Sequence, residues 1–181
     1  MTPTEELMEE HRVIEKMLGV MSKAADRLER SEQVEASMFA DAADFLRNFA
    51  DMCHHGKEEK LLFKKMVERG MPSGSGPIAV LLHEHEDGRA HVRAISKLAE
   101  KPLDGYVVKE LANHTRSYVE LLSQHIQKED KVLYPIADEL LTKADQKELQ
   151  VGFEEVEEKI MGPGVHEKYH KMIEDFEKRL G

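Results

Sequence analysis

Apolar residues recur along this chain at alternating steps of three and four, the period of a helix with one buried face, and the pattern restarts four times before residue 141. The first series is Leu7, Ile14, Leu18, Met21, Ala25 and Leu28, and His11 falls inside it. Its start is marked by Thr2-Pro3-Thr4-Glu5, where Thr2 can cap, Pro3 suits the first turn and Glu5 completes a capping box. A second helix is expected to begin after Ser31 and run to Arg69, stopped by Gly70, with Ala43, Leu46, Ala50, His54, Glu58 and Leu61 facing inward. Residues 70–77, Gly-Met-Pro-Ser-Gly-Ser-Gly-Pro, read as a linker. A third helix follows from Pro77 to about Lys101-Pro102, with Ile78, Leu81, His85, Gly88, Val92, Ile95 and Ala99 on its seam. The fourth is capped by Asp104 and runs to about Leu141, with a late kink expected at Pro135. Its seam reads Val107, Leu111, His114, Tyr118, Leu121, His125, Glu129, Val132 and Ile136.

This order predicts an all-α protein, an up-and-down antiparallel four-helix bundle of two helical hairpins over residues 1–141. Residues 142–181 read as a C-terminal helical extension in two segments, about 143–161 and 165–180, parted by Gly162-Pro163-Gly164. Tyr169, Ile173, Phe176 and Leu180 share one face of the last segment, so the extension is expected to pack on the bundle as part of a single domain.

The polar interruptions of the seams form a repeat. His54 and Glu58, followed by Lys60-Leu61-Leu62-Phe63, match His125 and Glu129, followed by Lys131-Val132-Leu133-Tyr134. His11 precedes the first copy by 43 residues and His85 precedes the second by 40. Residues four apart stack on one helix face, so each His-x-x-x-Glu pair can reach a common point. Counted from the turns, the four histidines lie at matching heights near one end of the bundle, with Glu58 and Glu129 between them. An imidazole and a carboxylate unpaired in an apolar seam are costly. None of the four predicted stripes carries Lys or Arg near them, so a metal is the simpler partner. Four imidazoles and two carboxylates suit iron, with zinc or manganese possible on ligand type, and a doubled set suggests two ions with open positions for a small diatomic or peroxide.

Composition narrows the field. The 181 residues carry a formal charge of −10 with the signs interspersed, which argues against nucleic acid as a partner. No run approaches 18 apolar residues and the N-terminus lacks a signal-peptide pattern, so no membrane partner and a cytoplasmic location are expected. The single cysteine, Cys53, excludes an internal disulfide and a thiolate-held iron–sulfur cluster, and a buried free thiol is expected. No motif marks a redox partner or an oligomeric state.

The spacing His…His-x-x-x-Glu…His…His-x-x-x-Glu, with Leu-Phe or Leu-Tyr-Pro after each pair, resembles the hemerythrin-like (HHE cation-binding) domains, four-helix bundles that hold a non-haem di-iron centre. The resemblance covers roughly residues 5–141. It implies His11, His54, Glu58, His85, His125 and Glu129 as ligands of two iron ions, with the glutamates as bridges. The oxygen-carrying hemerythrins have a fifth histidine where this chain has Leu81, and use His-x-x-x-x-Asp in the last helix, a spacing that His125 and Asp130 also satisfy. Glu129 is favoured as the repeat partner of Glu58, with Asp130 as the alternative. The set is closer to di-iron proteins of iron–sulfur cluster repair and nitric oxide response, without their cysteine-bearing N-terminal domain. Binding of O₂ or another diatomic for sensing, storage or delivery is the leading expectation. A di-iron enzyme or iron donor for NO or peroxide detoxification or cluster repair is the second, so enzymatic activity is left open.

The remaining histidines have simpler readings. His55 neighbours a ligand and is a possible fifth donor, but its rotation of about 100° from His54 favours a place behind the ligands or at the surface. His114 lies about 16 Å along the axis from His125, too far for the same ion, and reads as a hydrogen-bonded core residue, with Tyr118 lining access to the site. His83 and His91 lie off the seam. His166-Glu167-Lys168-Tyr169-His170 matches the zinc-protease pattern, but without a pocket or third ligand it is read as part of a packing helix.

Overall fold

The computed structural model describes residues 1–181 and contains helices and connections only. Helix α1 spans Pro3–Glu29 and opens with the predicted capping box, Thr2 accepting from the Glu5 amide and Glu5 accepting from that of Thr2. Ser31 takes a left-handed conformation, φ 58°, and ends this helix. Helix α2 therefore begins later than expected, at Ala36, and runs without a break through Ala36–Phe45, Leu46–His55, Glu58–Leu62 and Phe63–Glu68. Gly70, at φ 102°, turns the chain into the linker, a conformation open to glycine at little cost. Helix α3 occupies Gly76–Ala99, and α4 follows the Asp104 cap through Gly105–Lys128, Glu129–Leu133 and Tyr134–Leu140. Helices α5, Lys143–Ile160, and α6, Val165–Leu180, complete the chain.

Three stretches wind as π-helix: Leu46–His55, Glu58–Leu62 and Glu129–Leu133. Bonding i to i+5 puts an extra residue in the turn, so every side chain beyond it arrives one position late. The predicted seam residues Leu61, Val132 and Ile136 are replaced by Leu62, Leu133 and Ala137, while Val132 and Ile136 face outward. Pro135 lies directly behind the last π turn, so the missing N–H is taken up by local rewinding and the helix continues to Leu140. Both His-x-x-x-Glu pairs adjoin such turns.

Helix α1 packs on α4, α4 on α3 and α3 on α2, closing the bundle. The C-terminal pair lies along the α1–α2 side, α6 against α1, and α5 against α1 and the π segments of α2. Gly152 makes this approach possible, since a Cβ there would sit 3.0 Å from Leu61 Cδ1. Tyr169, Ile173, Phe176 and Leu180 are buried as predicted. The core divides into clusters of 30 and 12 residues, and the polar layer of histidines and glutamates lies between them, toward the end with the smaller cluster.

Candidate metal centre

All six side chains read from the repeat converge in this layer, and a seventh joins them. Donor atoms of His11, His54, Glu58 and Glu129 lie within 4.8 Å of one another, as do those of His55, Glu58, His85 and His125, and every one of these residues is buried. Glu58 belongs to both groups, its Oε2 lying 3.8 Å from His54 Nε2 and 3.4 Å from His85 Nε2. Glu129 also spans them, with Oε2 3.2 Å from His11 Nε2 and Oε1 3.1 Å from His125 Nε2. The carboxylates thus stand between a two-histidine half and a three-histidine half.

His55 is the correction. It stacks on His85 with ring centroids 3.8 Å apart and is buried, where an ideal α-helix would have turned it away from His54. The π winding of Leu46–His55 places more residues in each turn and narrows the angle between neighbours, so both imidazoles face the layer. Leu81, at the position of the hemerythrin fifth histidine, is buried in the smaller apolar cluster. Burial, followed by the charges of His85, His54 and His125, holds His55 well below the ordinary imidazole range, so it is neutral with a free lone pair.

Each of the other four histidines points Nε2 inward and offers Nδ1 to a carboxylate behind it. Nδ1 of His54 meets Glu10 at 2.7 Å, that of His85 meets Glu59 at 2.7 Å, that of His125 meets Glu84 at 2.9 Å and that of His11 meets Asp130 at 2.6 Å. The pattern is cyclic: α1 supplies the carboxylate for the histidine of α2, α2 for α3, α3 for α4, and α4 for α1. A basic residue near each histidine on its own helix grips the same carboxylate: Lys57 on Glu10, Arg89 on Glu59, Lys128 on Glu84 and Arg12 on Asp130. Such carboxylates fix the imidazole tautomer and ring orientation. Asp130 is therefore turned outward, away from the role held open for it. Each carboxylate is the chain neighbour of a candidate ligand, as in Glu10-His11, Glu58-Glu59, Glu84-His85 and Glu129-Asp130, and that doubling was the overlooked signal.

A bound metal fits this layer on the evidence of its unpaired atoms. His54 Nε2, Glu58 Oε2 and both oxygens of Glu129 are buried without a hydrogen-bond partner, and buried polar groups are rarely left so. The other Glu58 oxygen, Oε1, accepts from Tyr134 Oη at 2.6 Å. Burial and the charges of Glu58 and Glu129 raise the Tyr134 phenol well above its usual range, keeping it a donor. With no cation in the layer, protons serve instead. Burial opposes the charged form of His11 and His85, but the neighbouring carboxylates of Asp130 and Glu129 raise His11 to about 9, and those of Glu129, Glu58 and Glu59 raise His85 to about 11. Both lie above the unfolded value near 6.5, so this contribution to stability is complete below that pH and is lost as pH rises through 9 and then 11. Metal-free protein should accordingly show a melting temperature that falls between pH 8 and 11. Metal-loaded protein, its protons displaced, should not, and differential scanning calorimetry across that range checks both.

The other sequence candidates fall outside the layer. His114 is half-buried and pairs with His91, Nδ1 to Nδ1 at 3.0 Å, instead of entering the core. His83 is exposed. His166 Nε2 approaches Glu157 at 2.6 Å, at an angle unsuited to a hydrogen bond, and His170 is exposed, so the protease-like pattern assembles no donor group. Cys53 is a buried thiol raised to about 12, chiefly by burial. Lys57 was not foreseen: it is wholly buried, with Nζ 2.5 Å from Glu10, 2.7 Å from Glu6 and 3.4 Å from Glu157.

No helix is long and apolar enough to cross a membrane. The chain is 25% identical over 182 residues to an uncharacterized protein of Mycobacterium tuberculosis (strain ATCC 25618 / H37Rv), covering 99% of this chain and 71% of that one. It is 42% identical over 72 residues to the iron-sulfur cluster repair protein DnrN of Neisseria gonorrhoeae, 38% of this chain and 43% of the relative. With the iron-sulfur cluster repair protein YtfE of Enterobacter sp. (strain 638) it shares 31% identity over 120 residues, 62% of this chain and 54% of the relative. Residues 2–137 match the family model of the hemerythrin HHE cation binding domain. With that match over most of its length and a buried histidine–glutamate layer able to hold a metal ion, the chain belongs to the hemerythrin HHE cation binding domain family.

Proposed function

We propose that this chain holds two non-haem iron ions, one at His11 and His54 and one at His55, His85 and His125, with Glu58 and Glu129 shared, and that it binds O₂, another small diatomic or peroxide there. The observation that carries this reading is the set of buried donor atoms with no partner, all facing one layer. Zinc and manganese are compatible with the same donors. Paired iron, when bound, supplies reversible electron transfer and positions for small molecules. The protein's part is to orient four imidazoles through outer carboxylates and to hold a phenolic proton on Glu58 through Tyr134. It also stacks Phe63, from the smaller apolar cluster, on His85 with ring centroids 6.1 Å apart. Protein from iron-fed cells should carry about two iron ions per chain, and its near-ultraviolet and visible spectrum should change on anaerobic reduction and again in air. Absence of stoichiometric iron, or an unchanged spectrum, contradicts the reading.

A second reading, an enzyme or iron donor acting on NO or peroxide or in cluster repair, is favoured by the similarity to two iron-sulfur cluster repair proteins. The matched segments cover 43% and 54% of those two proteins. Turnover of NO or peroxide with a chemical reductant, or iron transfer to a chelator, supports it, and inertness in all three assays removes it. His55→Leu separates the halves: it should speed release of one iron to a chelator by at least tenfold and leave the other near its original rate. Equal release of both would show that His55 is not a donor.

A further inference from the structure

Outside the metal layer, a cavity of about 400 Å³ opens between α2 and α3, with His55 in its lining. This volume is within the range of small-molecule sites and far exceeds the need of a diatomic. Its inner part is apolar, formed by Leu46, Val92 and the fully buried Tyr118. Gly88 lines it as well, where a Cβ would make ordinary contact with Tyr118 Cε2 at 3.5 Å. Four cations line the outer part, Arg47, Arg89, Arg93 and Lys97, against one carboxylate, Asp51. Asp51 is bound to Arg89 at 2.8 Å, whereas Arg93 and Lys97 have no carboxylate within 4.0 Å. Arg93 and Lys97 are exposed and unpaired, and two such cations at the mouth of an apolar cavity form a local positive potential.

We infer that this cavity is a binding site for a small organic anion: an apolar body seated between Leu46 and Tyr118, with an anionic head, carboxylate or phosphate, held by Arg93 and Lys97. A ligand there would lie against His55, which stacks on His85, and would cover that face of the metal layer. The binding chemistry stands independently, and only its bearing on metal access rests on the di-iron reading.

Isothermal titration of the full-length protein as purified, its metal content measured separately, tests the inference with three probes of one shape: benzoate, phenyl phosphate and the neutral benzamide. Saturable binding of an anion, with benzamide at least tenfold weaker, is expected, and the tighter anion assigns the head group. The exposed double variant Arg93→Gln with Lys97→Gln should weaken both anions at least tenfold with melting temperature and metal content unchanged. Absence of saturable anion binding, equal binding of benzamide, or an unaffected double variant would overturn the site. A sample without iron that still binds the anions would contradict the metal assignment and leave the cavity's role standing.

Discussion

Glu129→Gln should abolish paired metal binding, taking iron from about two ions per chain to one or fewer. Glu129 is wholly buried, neither of its oxygens has a hydrogen-bond partner, and it lies 3.2 Å from His11 on one side and 3.1 Å from His125 on the other. Its position suits the shared ligand proposed above. An amide keeps the shape but removes the charge and points a donor at one half of the layer. Losing an outer partner of a metal ligand costs 10–100-fold in affinity, so removal of a shared ligand should exceed that. Chelator competition followed by iron analysis reads the effect. Asp130→Asn, affecting only the orientation of His11, should stay within the 10–100-fold range, and an equal loss in the two variants would mean that the assignment of inner and outer carboxylates is wrong.

Lys57→Met should be strongly destabilising, by about 3 kcal/mol, because it strands a buried carboxylate. Glu10, held low by His54 and Lys57 against the effect of burial, would keep its bond to His54 but lose the ammonium 2.5 Å away. For a chain of this size the change corresponds to a fall of roughly 6–12 °C in melting temperature. Adding Glu10→Gln should recover part of it, since the stranded charge is then gone. Lys57 also reaches Glu157 and lies over the Phe153 ring at 5.4 Å, so the His54 side of the layer is tied to α5 through one side chain. Full stability of Lys57→Met would show that the lysine is incidental.

The bundle was legible because its information is local and periodic. Thr2, Glu5, Asp104 and Gly70 mark helix ends through caps and turns, and the three-and-four spacing of Leu7, Ile14 and Leu18 marks a buried face whatever packs on it. The six inner side chains were visible as polar breaks in those faces, repeated in the two halves. Misreadings followed the π turns. A rule of 100° per residue turned His55 outward and placed Val132 and Ile136 inward, because no residue type announces an i to i+5 turn. Pro135, just behind one of them, is the nearest thing to a signal. The outer ring of Glu10, Glu59, Glu84 and Asp130 was hidden for another reason: each serves the next helix in the cycle, and such pairings between helices leave no periodic trace. Lys57 lies off the inward stripe and is buried only because α5 covers it, a contact set by tertiary packing.

Diffraction from an iron-loaded crystal at wavelengths on either side of the iron edge tests the central claim most directly. Two anomalous peaks are predicted about 3.5–4 Å apart, one within bonding distance of His11 and His54, the other of His55, His85 and His125, with Glu58 and Glu129 reaching both. A single peak, peaks elsewhere in the molecule, or none in a sample replete with iron would contradict it.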